Sequence, residues 1–103
     1  RAFMQLGIPD APTSVTASAG NTNALINWGA PSADGGSPVT GYTITASNRG
    51  GNQSVGPREI SVLFTGLVNG LSYSFTVVAI NDVGDSSLSR ASNSVTPSSR
   101  SRP

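Results

Sequence analysis

The side chains able to do chemistry are few in this chain. Its acids are Asp10, Asp34, Glu59, Asp82 and Asp85, and it holds no His, no Cys and no Lys. That removes the usual general base, the thiol and amine nucleophiles and most transition-metal ligands. A glycosidase needs two carboxylates facing each other across a sugar. Only Asp82 and Asp85 share a loop, and a loop on a small domain makes no substrate cleft. The reading is therefore non-catalytic, with no cofactor. Asn81, Asp82 and Asp85 could offer oxygens to Ca²⁺, which takes 6–8 of them. Two carboxylates without a full loop pattern fit turn chemistry better, since Asn and Asp side chains bond their own backbone. Asn52-Gln53-Ser54 forms an N-glycosylation triplet on an expected loop, a pattern common by chance.

Charge excludes a second class. The net charge is +1, and all six basic residues are Arg. Three of these, Arg1, Arg100 and Arg102, lie at the ends. The body thus has no basic stripe for phosphates, and nucleic acid is not an expected partner. Charged residues make up 11% of the chain, against about 25% in ordinary globular chains. Little repulsion opposes packing against neighbours. No apolar run approaches the ~20 residues of a membrane span, so no membrane insertion is expected.

The elements that must carry these residues are strands. A chain of 103 residues suits one domain that buries about 64% of its unfolded surface without staples. No 12-residue stretch keeps a 3.6 period without Gly or Pro inside it. Short alternating segments recur instead, separated by Gly, Pro, Asn and Asp. The first, near 13–19, sets Val15, Ala17 and Ala19 on one face. The second, near 23–28, turns Ala24, Ile26 and Trp28 inward. The third, near 40–47, turns Tyr42, Ile44 and Ala46 inward. A weak strand is expected near 53–57. The fifth places Ile60, Val62 and Phe64 inward, and Leu67 closes it. Asn69-Gly70 marks a turn. The sixth is the clearest, with Leu71, Tyr73, Phe75, Val77 and Ala79 alternating against Ser and Thr. A polar loop near 81–87 precedes a last strand near 88–96, with Val95 inward. Seven strands in this length predict an all-β, two-sheet sandwich with Trp28 at its centre. Pro9, Pro12, Pro57 and Pro97 fall at strand ends or edges, where a missing donor blunts pairing.

Four pieces in order carry a resemblance. They are Pro9-x-x-Pro12, the run Ile26 to Pro31 around Trp28, the run Gly35 to Tyr42, and Leu67-x-Asn69-Gly70-Leu71-x-Tyr73-x-Phe75. From about Ile8 to Pro97 the chain resembles the fibronectin type III domain. The resemblance implies a seven-stranded immunoglobulin-like sandwich and a tyrosine corner, with the Tyr73 hydroxyl bonding backbone near Leu67. Leu71 departs from the small polar residues common at its position. The Gly-Gly-Ser-Pro wording and the Arg-only basic set imply a bacterial or phage source, in which the glycosylation triplet would go unused. The family implies binding, spacing and adhesion. Members that bind integrins can carry Arg-Gly-Asp-Ser in the loop before the last strand. Here Val83-Gly84-Asp85-Ser86 lacks the Arg, so no integrin binding is expected.

The organisation read from the sequence is an N-terminal arm or linker over 1–8, a domain over 9–97, and a tail or linker over 98–103. Phe3, Met4, Leu6 and Ile8 are large and apolar ahead of the first strand and need cover. Val78, Ile80 and Leu88 suggest a small apolar patch beside the 81–87 loop. The candidate partner contacts are Phe3, Met4, Leu6, Ile8, Val78, Ile80, Asp82, Val83 and Asp85, while Trp28, Tyr42, Leu67 and Tyr73 are structural. The expected role is an extracellular spacer or adhesion module of a larger secreted or surface protein. The alternative is a repeating structural subunit of a filament or virion surface, placing the chain at a cell or virion surface. Partners would be neighbouring domains or subunits, and beyond them a surface protein or polysaccharide. A carbohydrate-binding module is disfavoured, because every aromatic residue except Phe3 is claimed by the core.

Overall fold

A computed structural model describes residues 7–99. Among these, six strands form two antiparallel three-stranded sheets and no helix is present. The first sheet has the order β1 (Thr13–Ala19), β2 (Ala24–Gly29), β5 (Ser61–Phe64). The second has the order β4 (Gly51–Val55), β3 (Gly41–Ala46), β6 (Phe75–Ile80). Strand alternation sends every second side chain to the same face. The inner faces carry Ala24, Ile26 and Trp28 from β2, Tyr42, Ile44 and Ala46 from β3, and Phe75, Val77 and Ala79 from β6, all buried. Phe64, Leu67 and Tyr73 complete this single core.

Tilted rings lock the layers together. The Trp28 and Tyr42 centroids are 5.4 Å apart, and those of Phe64 and Phe75 are 5.3 Å apart. Such pairs add about 0.5–1.5 kcal/mol beyond the area they bury. Burial also raises the Tyr42 pKa above its ordinary value. The folded state thus holds that proton more firmly than the unfolded chain. Its contribution is full below about pH 10 and is lost as alkali titrates the native hydroxyl.

Three expectations need correction. Ile60 was placed inward but is 56% exposed, because β5 begins only at Ser61. Leu71 was placed on the inner face but is 38% exposed; it lies in the turn ahead of β6, before the alternation takes hold. The seventh strand, expected over 88–96, does not form a regular ladder. Only the bridges Tyr73–Val95 and Ile80–Asp85 are strand-like. The segment between them still closes the sandwich, by a different hydrogen-bond pattern described below. The weak strand near 53–57 is present but sits at Gly51–Val55. It is set there by a tight turn in which Gly50 N donates to Ser47 O at 3.0 Å, with Asn48 and Arg49 both at positive φ. That is the two-residue turn whose twist suits a hairpin.

Candidate interaction surfaces

Asn81 organises the pole where the β6 loop lies. Its side chain is buried, and Oδ1 accepts from Val83 N at 2.9 Å and Gly84 N at 3.1 Å. Nδ2 donates to Gly7 O and Asp34 O, each at 2.9 Å, and more weakly to Ser37 O at 3.4 Å. One amide therefore ties together the chain before β1, the β2–β3 loop and its own loop. The Asn81 oxygen is spent on turn chemistry, as the sequence favoured, rather than turned outward. Gly7 N donates to Gly35 O at 2.8 Å. Gly35 has φ +80°, and an added Cβ would sit 2.4 Å from Gly7 O. Glycine is required there by both its backbone and its neighbour.

This pole gathers several of the predicted contacts. Ile8 is exposed, and its Cγ2 lies against Gly84. Asp82, Val83 and Asp85 are exposed on the loop. Asp85 is bridged through its backbone to Ile80, and Ser86 is buried with its hydroxyl donating to Ser87 O at 2.8 Å. Ile80 is half-buried at the end of β6. Val78 is half-buried one step back, opposite Thr43, and Leu88 is exposed. Gly7 is tied to the β2–β3 loop and to Asn81 of this same domain. Phe3, Met4 and Leu6 lie outside the described residues.

The opposite pole is built on Tyr73. Its hydroxyl accepts from Val68 N at 2.9 Å, one residue beyond the expected position at Leu67. Leu67 N donates to Thr22 O at 3.0 Å, Gly70 N to Pro97 O at 2.9 Å, and Ser98 N to Gly20 O at 3.1 Å. The chain leaves through this corner with Pro97 buried.

Two features escaped the sequence reading. Leu25 and Leu63 are direct cross-strand partners on the outer face of the β1–β2–β5 sheet, and both are exposed. Each lies between inward-facing neighbours, and alternation alone does not show that two outward leucines meet. The second is a row of buried serines, Ser86, Ser89 and Ser92. Their hydroxyls accept from the N–H groups of Ala79, Val77 and Phe75 at 2.9–3.0 Å. Their own N–H groups donate back to the carbonyls of those residues at 2.7–3.0 Å. Spacing by three beside a strand spaced by two was the available signal.

The comparisons with known proteins agree with this architecture. The family model described as fibronectin type III domain matches residues 10–95. The chain belongs to the fibronectin type III family. The fibronectin type III module is 36% identical over 92 residues to a Xenopus laevis protein, "Cell adhesion molecule-related/down-regulated by oncogenes", covering 84% of this chain and 7% of that protein. It is 34% identical to fast-type myosin-binding protein C of Gallus gallus, covering 75% of this chain and 7% of that protein. The chain thus spans a small fraction of these curated relatives. Among solved structures, titin domains superpose with a TM-score of 0.77 at 30% identity, covering 88% of this chain and 32% of that one. The twitchin kinase region of C. elegans superposes with a TM-score of 0.81 at 27% identity, covering 94% of this chain and 18% of that one. These relatives are animal proteins, so the bacterial or phage source implied by the sequence wording finds no support. In this family the domain is a non-catalytic module of larger proteins.

Proposed function

We propose that this fibronectin type III module is an extracellular spacer and adhesion element of a longer surface or secreted protein. One observation carries the reading. The chain enters at the Asn81 pole, where Gly7 is tied to the β2–β3 and β6 loops. It leaves at the Tyr73 pole, where Gly70 holds Pro97 and Gly20 holds Ser98. Entry and exit are thus fixed at opposite ends of the sandwich, which suits a module threaded in a row with its neighbours. The adhesion part draws support from likeness to the cell-adhesion-related protein. Likeness to myosin-binding protein C and titin supports a second reading, a module of an internal structural filament protein. Both readings have it working between neighbours on one polypeptide.

Sedimentation velocity on the isolated chain tests the spacer reading. A monomer is expected; a large assembly would favour the repeating-subunit alternative. Surface labelling of intact cells that make the parent polypeptide separates the adhesion and internal-filament readings, since only an extracellular module is reached. Receptor attachment through Asp85 is not expected, because no guanidinium accompanies its carboxylate in the loop.

A further inference from the structure

The triplet Asn52-Gln53-Ser54 lies within β4, not in the loop the sequence suggested. Among the described residues β4 is the edge of its sheet, with β3 on one side and no strand on the other. Gln53 pairs with buried Ile44, and its Oε1 accepts from Thr65 N at 3.0 Å across the seam between the sheets. Alternation then turns Asn52 and Ser54 to the outer face, beside Thr45 and Thr43. Asn52 is exposed, and its amide makes no hydrogen bond among the described residues. The Ser54 hydroxyl meets only the Thr43 hydroxyl, at 3.3 Å. The acceptor nitrogen and the hydroxyl two residues on are therefore both accessible on one face.

The edge itself supplies an independent argument. Exposed edges invite pairing with another chain and are usually blunted by charge, proline or cover. The other edges here are managed. β6 is covered by the segment running from Ser86 to Val95. β1 is capped by Asn93, whose amide accepts from Ala17 N at 3.0 Å and donates to Ala17 O at 2.9 Å. β5 has only four residues. β4, Gly-Asn-Gln-Ser-Val, carries no charge and no proline. A bulky hydrophilic group on Asn52 would shield it.

We propose that Asn52 is an N-glycosylation site whose glycan shields the β4 edge and the adjoining outer face. The inference rests on the extracellular reading, because the donor, a lipid-diphosphate-linked oligosaccharide, is met in the secretory pathway. The Asn52 Nδ2 attacks the anomeric carbon and the N–C bond forms. The C–O bond to the diphosphate breaks, the lipid diphosphate departs, and the amide gives one proton to the transferase base. The Ser54 hydroxyl is the recognition element that the triplet requires.

The chain is expressed in animal cells behind a secretion signal and its intact mass is measured. The expected result is one glycan increment, removed by peptide N-glycosidase with deamidation at Asn52. It should be absent from Asn52→Gln and Ser54→Ala and retained in Ser54→Thr. The same variants made in the bacterial cytosol should melt with the parent chain, which separates loss of the acceptor from loss of the fold. A secreted parent chain without a glycan, or a glycan that persists in Asn52→Gln, overturns the site wherever the full-length protein resides. A glycosylated secreted chain beside a full-length protein that surface labelling cannot reach overturns the extracellular reading and leaves the acceptor chemistry of Asn52 standing.

Discussion

The two flanks of β6 satisfy the same backbone in different ways. Toward β3, residues pair one for one, from Gly41 with Ile80 to Ala46 with Phe75. Toward the C-terminal segment, Tyr73, Phe75, Val77 and Ala79 meet Val95, Ser92, Ser89 and Ser86. Two residues on β6 are matched by three on the segment at each step. Two strand residues rise about 6.8 Å, so each residue of the segment advances only about 2.3 Å. That is shorter than an extended strand or a polyproline helix, at about 3.1 Å. Backbone this contracted cannot offer both its N–H and its C=O in strand register. It supplies the N–H, and the serine hydroxyl takes the place of the missing carbonyl. Each hydroxyl then donates to the next carbonyl, as Ser89 does to Arg90 O at 2.9 Å. An irregular closing segment can seal a sheet edge if a short side chain replaces one partner of each pair.

Phe75 holds both flanks, so its loss should be the most damaging. It is fully buried, tilted against Phe64 and stacked near Tyr73. Phe75→Ala is expected to cost about 3–5 kcal/mol, out of a total near 5–15 kcal/mol for a small domain. Chemical denaturation gives the number. A loss under about 1 kcal/mol would mean that the two sheets are not joined through this ring.

The serine flank is tested by Ser89→Ala. The change removes the acceptor of the buried Val77 N–H and leaves that donor unpaired. The expected cost is about 1–3 kcal/mol, with faster hydrogen exchange at Val77 and slow exchange kept at Val78, which pairs with Thr43. Equal exchange at both amides would erase the distinction between the flanks.

Legibility in the sequence follows the same division. The inner faces of the β3 flank were readable because Tyr42-x-Ile44-x-Ala46 and Tyr73-x-Phe75-x-Val77-x-Ala79 alternate strictly, while the pairing of the two strands came only with the fold, since a slip of two residues keeps the same faces inward. The serine flank was not, since Ser86, Ser89 and Ser92 look like ordinary exposed serines until a buried N–H is placed opposite each. Asn81 was legible only in part. Its residue type suggested a turn, and only the fold brings Gly7, Asp34 and Ser37 to its amide. Tyr73 was legible through the family resemblance, which supplied its hydroxyl partner to within one residue. The outward Leu25–Leu63 pair was invisible because cross-strand neighbours depend on register, and these two lie 38 positions apart by their numbers.

At the base of the serine flank, Tyr73 keeps the three-for-two spacing but pairs with Val95 backbone to backbone in both directions, at 2.8 and 2.9 Å. Its hydroxyl is a separate anchor on Val68 N. Tyr73→Phe keeps the ring and the backbone pair and removes only the hydroxyl. Val68 is exposed, so water can reach the freed N–H, and the loss should stay at about 0.5–1.5 kcal/mol. Thermal melting reads it. A cost as large as that of Ser89→Ala would place the anchor in a drier site than the exposure of Val68 indicates.

The smallest effect should come from a hydroxyl on the β3 flank. Thr43 sits mid-strand between β4 and β6, opposite Ser54 on one side and Val78 on the other. Its hydroxyl meets the Ser54 hydroxyl at 3.3 Å, yet every residue of β3 from Gly41 to Ala46 already pairs with a residue of β6. No N–H depends on this oxygen, and the site is only half-buried. Thr43→Val keeps the β-branched shape and removes the hydroxyl, so its effect should stay within about 0.5 kcal/mol. Ser89→Ala and Thr43→Val thus each delete one hydroxyl, from opposite flanks of the same strand. Denaturation of the two variants side by side measures the difference between a hydroxyl that stands in for a carbonyl and one that decorates a complete ladder. If Thr43→Val costs as much as Ser89→Ala, the ladder toward β3 is not self-sufficient and the contrast between the flanks fails.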